Sequence, residues 1–193
     1  MNTWQIGAET LEFFDDGHIY LVDGIVVPSI TQILNVRFGA AYANVPPDVL
    51  KRAAERGTMI HAQIENFIKT GEANEFSILF SQCLEGCGLH PVDCEIPVIL
   101  HENGNPVAAG RLDLLLGRDG KMGIADIKTT KKLNTDYLFY QLNLYRIAFM
   151  QCYNSPIEFL GGVHLRETAK YAEIEINENK AWEIVTEWRK NNE

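Results

Sequence analysis

The chain has no apolar run near the roughly 18 residues that a membrane-spanning helix needs, so no span is expected. Its opening, Met-Asn-Thr-Trp-Gln-Ile-Gly-Ala-Glu, lacks the basic and apolar regions of a secretory signal, and a cytoplasmic location is the expectation. Cysteine is scarce. Cys83, Cys87, Cys94 and Cys152 form no CxxC pair, and 193 residues can bury a core without covalent staples, so reduced thiols are expected. A Walker-type phosphate loop is missing, which excludes ATPase or helicase activity within the chain. Repeats, low-complexity tracts and linkers are also missing, so residues 1–193 read as one domain. Basic residues are in deficit: 17 Lys and Arg against 26 Asp and Glu, for a net charge of −9. That argues against a general nucleic-acid coater, whose affinity comes from Lys and Arg. It does not exclude a nucleic-acid enzyme, because a metal ion locally offsets the charge of its acidic ligands.

What is present is an ordinary globular composition, 46% apolar and 22% charged. Residues 10 to 27 alternate around turn signals at Asp15-Asp16-Gly17 and Asp23-Gly24, which predicts a small β-meander in an N-terminal unit spanning 1–34. Ser29 is placed to cap a short helix over Ile30 to Leu34, and residues 35 to 45 read as a loop. Pro46-Pro47-Asp48 starts a long helix running to about Lys69 and closed by Gly71, with an apolar stripe of Ala53, Ile60, Ile64, Phe67 and Ile68. A helix over 75–86 and strands near 92–100, 107–117 and 121–129 follow. Then come a helix near 135–152, strands near 157–165 and 170–176, and a C-terminal helix over about 178–190 with Trp182 and Trp188. The order predicts an α/β sandwich around a mixed sheet, with its core at about 47–176.

The most informative stretch is 113–128, a hairpin signal with an acid on each arm. Asp119-Gly120 suits a two-residue turn whose central residues both need positive φ. Counting back from Arg118 opposite Lys121 puts Asp113 opposite Asp126 and Arg111 opposite Lys128. Strand alternation puts Asp126 and Lys128 on one face. Like charges so opposed are destabilising unless a cation lies between them. A turn centred on Gly104 would bring Glu95 opposite Asp113, either as a further acid of the same site or as an exposed or structural one. His61 and Glu65 lie four apart on one face of the long helix, where a lone histidine is more often structural than a ligand. Tyr137, Gln141 and Tyr145 repeat the four-residue spacing on the later helix, a pattern that alone suits a core face. Basic residues gather at Lys128, Lys131 and Lys132, and at Lys51, Arg52 and Arg56 ahead of His61.

Gly57-x-x-x-His61, Gly110-Arg-Leu-Asp113, Asp126-Ile-Lys128-Thr129-Thr130 and Gln141-x-x-x-Tyr145, in that order and at those gaps, resemble the RecB-type exonuclease branch of the PD-(D/E)XK nuclease superfamily. His18-Ile-Tyr-Leu-Val-Asp-Gly and Val27-Pro-Ser-Ile-Thr-Gln-Ile-Leu are similar to the opening of its small phage- and prophage-encoded members. The resemblance implies a restriction-endonuclease-like αβββαβ core. It implies a divalent metal held by His61, Asp113, Asp126 and the carbonyl of Ile127. Lys128 would position water and stabilise the transition state, and Gln141 and Tyr145 would contact substrate. Arg111, Lys131 and Lys132 are the expected path for the phosphate backbone. Carboxylates suit Mg²⁺, and an imidazole in the shell extends the expectation to Mn²⁺. Some relatives carry an iron–sulfur cluster, but the usual cysteine trio after the Gln–Tyr helix is missing, so none is expected. The expected function is a metal-dependent DNA exonuclease acting on single strands or duplex ends, in phage recombination or DNA processing, with a recombination protein as a possible partner. The alternatives are a structure-specific endonuclease and a catalytically silent DNA-binding or assembly module.

Overall fold

A computed structural model describes residues 1–42 and 45–192. Two sheets organise the chain. The first is an antiparallel meander in the order β1 (Asn2–Ile6), β2 (Glu9–Phe14), β3 (Ile19–Val22), β4 (Ile25–Val27). The second is mixed, in the order β5 (His90–Glu102), β6 (Asn105–Arg118), β7 (Lys121–Lys128), β8 (Phe159–Leu165), β9 (Ala169–Ile174). Among the described strands of this sheet only the β7–β8 pair is parallel, and α4 (Thr135–Tyr153) makes the crossover that such a pair requires. The expected mixed sheet flanked by helices is therefore present, with an antiparallel sheet ahead of it.

Helices cover both faces. On one side α1 (Ile30–Phe38), α4 and α5 (Glu178–Asn192) bury a core that includes Ile33, Val98, Leu112, Ile124, Leu142 and Ile184. On the other, α2 (Pro47–Thr70) and α3 (Glu75–Gly86) bury Ile60, Ile64, Phe80 and Leu84 against Leu114, Leu116 and Val163. The meander packs its own cluster, including Leu11, Phe13 and Val22, onto Ile99 and Ala109. A bond from the Ala109 amide to the Pro28 carbonyl, 3.0 Å, ties the two sheets together.

α4 is apolar nearly all round because it is buried nearly all round, from Leu138 to Phe149. Its two buried amides behave differently. Asn143 donates to the carbonyls of Phe139 and Glu175 and accepts from the Asn177 amide, so it is a satisfied clamp onto the approach to α5. Gln141 keeps a buried Oε1 with no partner among the described residues.

Three sequence expectations need correction. The meander gains a first strand, β1, because Trp4 and Ile6 pair with Leu11 and Glu9. The loop expected over 35–45 is helical to Phe38 and continues as a 3-10 turn over Gly39–Tyr42; its residues 43 and 44 lie outside the described ones. Tertiary contacts extend that helix: Arg37 pairs with Glu187 at 2.5 Å and lies over the Tyr140 ring, and Phe38 meets Tyr137 edge-on. Finally, Ala53 is exposed, so the apolar stripe of α2 is buried at Ile60 and Ile64 and partly buried at Phe67 and Ile68.

Candidate functional site

The site forms where the second sheet stops being regular. The turn is Asp119-Gly120, with φ of +52° and +74°, and β6–β7 pairing runs from Arg118–Lys121 to Leu114–Ala125. It ends one pair short of Asp113 and Asp126. Beyond that point the Ile127 N–H donates to Asp113 Oδ2 at 2.9 Å, where a regular ladder would offer a main-chain carbonyl. The expected direct opposition of the two acids is thus replaced by a side-chain bridge across parted strands.

β5 is distorted at the same level, although its register with β6 is kept. Glu95 sits at φ +55°, a left-handed conformation that costs an L-residue on the order of 1–2 kcal/mol. Its neighbours then face opposite ways: Cys94 joins the α2/α3 core and Ile96 the α4 core. Leu112 and Leu114 split in the same manner around Asp113. The pairs Cys94–Leu114 and Ile96–Leu112 bracket Glu95 and Asp113, so these two acids do face one another. The route to that register differs from the sequence reading. The turn is the two-residue Asn103-Gly104, and an extra residue, Val107, between the Leu100–Ala108 and His101–Pro106 pairs restores the count.

His61 reaches the opening from α2. Its Nε2 lies 3.0 Å from the Ile127 oxygen; in the metal-free chain the Nε2 hydrogen is donated to that carbonyl, and a bound cation would take the place of that hydrogen. Nδ1 then lies 3.5 Å from Asp113 Oδ2. One ligand atom each from His61, Glu95 and Asp113 fall within 4.8 Å of one another. Asp126, 2% exposed, is not in this trio. Its Oδ2 is paired with the Lys128 ammonium at 2.6 Å, a close contact between two buried charges. Lys128 also lies 5.3 Å over the Tyr137 ring.

Electrostatics favour a cation. Burial, then the Asp113 charge, push the Glu95 carboxyl up to about 6 against the pull of Arg111. Burial and Asp113 likewise raise Asp126, opposed by Lys128. Burial pulls the Lys128 pKa down, but Asp126 and Asp113 outweigh it and raise it above its ordinary value. An imidazole nitrogen, two carboxylates and an adjacent carbonyl form an oxygen- and nitrogen-rich donor set suited to Mg²⁺ or Mn²⁺. The sequence-derived ligands His61, Asp113 and the Ile127 carbonyl are drawn together, and Glu95 joins them.

The other expected residues are distributed around an open cavity of about 520 Å³. Gln141 and Tyr145 line it from α4. Gly110 is glycine for a steric reason: a Cβ there would lie 2.8 Å from the Tyr145 ring. Glu65 borders the cavity, with its carboxylate engaged by Lys69 at 2.5 Å. Arg111 does not face Lys128 across the hairpin, because the ladder has ended; it forms an ion pair with Glu95 instead. Lys131 is exposed and does not line the cavity, and Lys132 lines a smaller one beyond Lys128. Sequence reasoning assigned no site role to Phe13, His18, Tyr20, Ser29 or Thr31, all of which line the cavity. The signal was at hand in the alternating His18-x-Tyr20 and in the Ser29 cap, each of which projects beside the second sheet.

No protein-family model and no curated protein matches this sequence. Among solved structures, the crystal structure of SSO0001 is similar in fold, with a TM-score of 0.52 at 17% identity, over 86% of this chain and 76% of that one. At that identity the likeness concerns the fold alone. Among the described residues, no helix is long and apolar enough to cross a membrane.

Proposed function

We propose that this chain is a divalent-metal-dependent nuclease with a restriction-endonuclease-like core, acting as a DNA exonuclease. The observation that supports it most is the convergence of His61, Glu95 and Asp113 beside the buried Asp126–Lys128 pair, on one open cavity. His61, Glu95, Asp113 and the Ile127 carbonyl would hold the ion, with Asp126 at its border. When bound, the ion supplies Lewis acidity at a phosphate and lowers the pKa of a water.

The chain's own residues have separable tasks. Lys128 is a fixed ammonium in a poorly solvated position, where it stabilises charge developing on the phosphoryl oxygens more than it would in water. Asp126 fixes that ammonium and keeps it protonated. Asp113 holds β7 through the Ile127 amide, so its carboxylate and the Ile127 carbonyl keep a constant relation to His61. Gln141 offers an unsatisfied acceptor at the cavity wall for a donor on the substrate. In the net reaction a water oxygen bonds to phosphorus and the bond to the leaving nucleoside oxygen breaks.

The test is digestion of end-labelled linear and of circular DNA with Mg²⁺, Mn²⁺ or chelator. Release of short products from linear DNA alone, abolished by chelator, is expected. No cleavage with either ion would overturn the nuclease reading, and equal cutting of circular DNA would overturn the exonuclease assignment.

A further inference from the structure

A second cavity, about 220 Å³, lies on the far side of Lys128. The Lys128 side chain borders both this cavity and the larger one that holds the acids. Helix α1 also borders both. Thr31 faces the larger cavity, and Asn35 and Phe38 face the smaller, at the four- and seven-residue spacing that puts all three on one face of a helix. The two cavities are therefore stations along one path, with α1 as a wall and Lys128 between them.

The lining of the smaller cavity is chemically mixed. Phe38 and Tyr137 meet at 5.4 Å between ring centroids and 67° between planes, giving it an aromatic side. The Asn35 amide and the Lys132 ammonium have no hydrogen-bond or ion-pair partner among the described residues, and both residues are exposed. A flat aromatic ligand with hydrogen-bonding edges and an anionic linker suits that combination. An amide reads a base edge by offering both donor and acceptor. Aromatic side chains accept any base, and a lysine neutralises the neighbouring phosphate.

We infer that this smaller cavity is a base-binding subsite for an unpaired nucleotide adjoining the phosphate at Lys128. The inference rests on the nuclease reading and narrows its substrate to a single-stranded end, because a base must leave its stack and its partner to enter. The strand would run along α1, from Thr31 past Asn35 to Phe38.

The test is binding of fluorescein-labelled single-stranded oligonucleotides, followed by anisotropy with Ca²⁺ as the divalent ion, and it does not depend on turnover. One abasic nucleotide is moved stepwise along the oligonucleotide from its end. A single position should weaken binding to the wild-type protein at least five-fold, and Asn35→Ala combined with Phe38→Leu should erase that position's sensitivity. The melting temperature and Mn²⁺ titration of the variant show whether it is intact. If all abasic positions bind alike, or if the intact variant keeps the wild-type profile, the subsite is refuted. Position-dependent binding with no cleavage under any metal would sustain the subsite and refute the nuclease reading, so the two claims fail separately.

Discussion

The two ends of the β6–β7 hairpin obey different rules. At the turn end, five consecutive pairs, from Arg118–Lys121 to Leu114–Ala125, follow a regular register, and the turn residues have the positive φ that the turn demands. At the other end the ladder stops, Glu95 adopts a left-handed conformation, and the neighbours of Glu95 and Asp113 point to opposite cores. The regular end needs no external partner. The irregular end gathers acids that repel one another, and such strain persists where surrounding structure holds it and a function uses it. Substitutions at the two ends should therefore separate stability from activity.

The largest effect is expected at the irregular end. Asp113→Asn and Asp126→Asn should each abolish most metal-dependent cleavage, by on the order of 10²–10³-fold if one fixed electrostatic contact is lost. Lys128→Ala should lose cleavage on a similar scale while still binding Mn²⁺, measured by calorimetry. It should also destabilise the metal-free protein by roughly 3–5 kcal/mol at pH 8, since it strands a buried carboxylate. An unaltered melting temperature would show that Asp126 has another counter-ion.

A middle-sized effect tests packing just outside the acids. Gly110→Ala should cost about 1–3 kcal/mol by driving a Cβ into Tyr145, with an activity loss larger than denaturation alone explains. At the turn end, Gly120→Ala places an L-residue at φ +74° and should cost about 1 kcal/mol, yet leave cleavage per folded molecule unchanged. Equal activity losses for the two variants would erase the proposed distinction.

The smallest effect is on pH. Glu95 and Asp126 both have folded pKa values raised above their ordinary ones, so the folded state holds their protons more tightly than the unfolded chain. Their contribution to metal-free stability is greatest at low pH and declines as pH rises from about 4 through about 6. Thermal melts should show this decline, and Glu95→Gln with Asp126→Asn should flatten it. A rise across that interval that the double variant also abolishes would contradict the account.

Much of this arrangement was legible in the sequence, for identifiable reasons. The Asp119-Gly120 turn fixes a register by counting, and the helix bounds at Ser29, Pro47 and Gly71 follow from cap chemistry. The opposition of Glu95 and Asp113 was also legible, although a shorter turn and the Val107 bulge cancel to produce it. What sequence could not show is where a ladder ends. Asp113 bridges to the Ile127 amide, and Arg111 turns to Glu95, beyond the last regular pair, Leu114–Ala125. The last turn of α1 was also illegible: its partners, Glu187, Tyr137 and Tyr140, are about a hundred or more residues away.

The central claim, that the irregular end is built around one cation, is tested most directly by a crystal structure grown with Mn²⁺ and an anomalous difference map. The account predicts one strong peak at His61, Glu95 and Asp113, with an imidazole nitrogen about 2.0–2.3 Å from the ion, as in other imidazole–metal bonds. A map without density at that trio, with His61 still bonded to the Ile127 carbonyl and Arg111 still paired to Glu95, would contradict it.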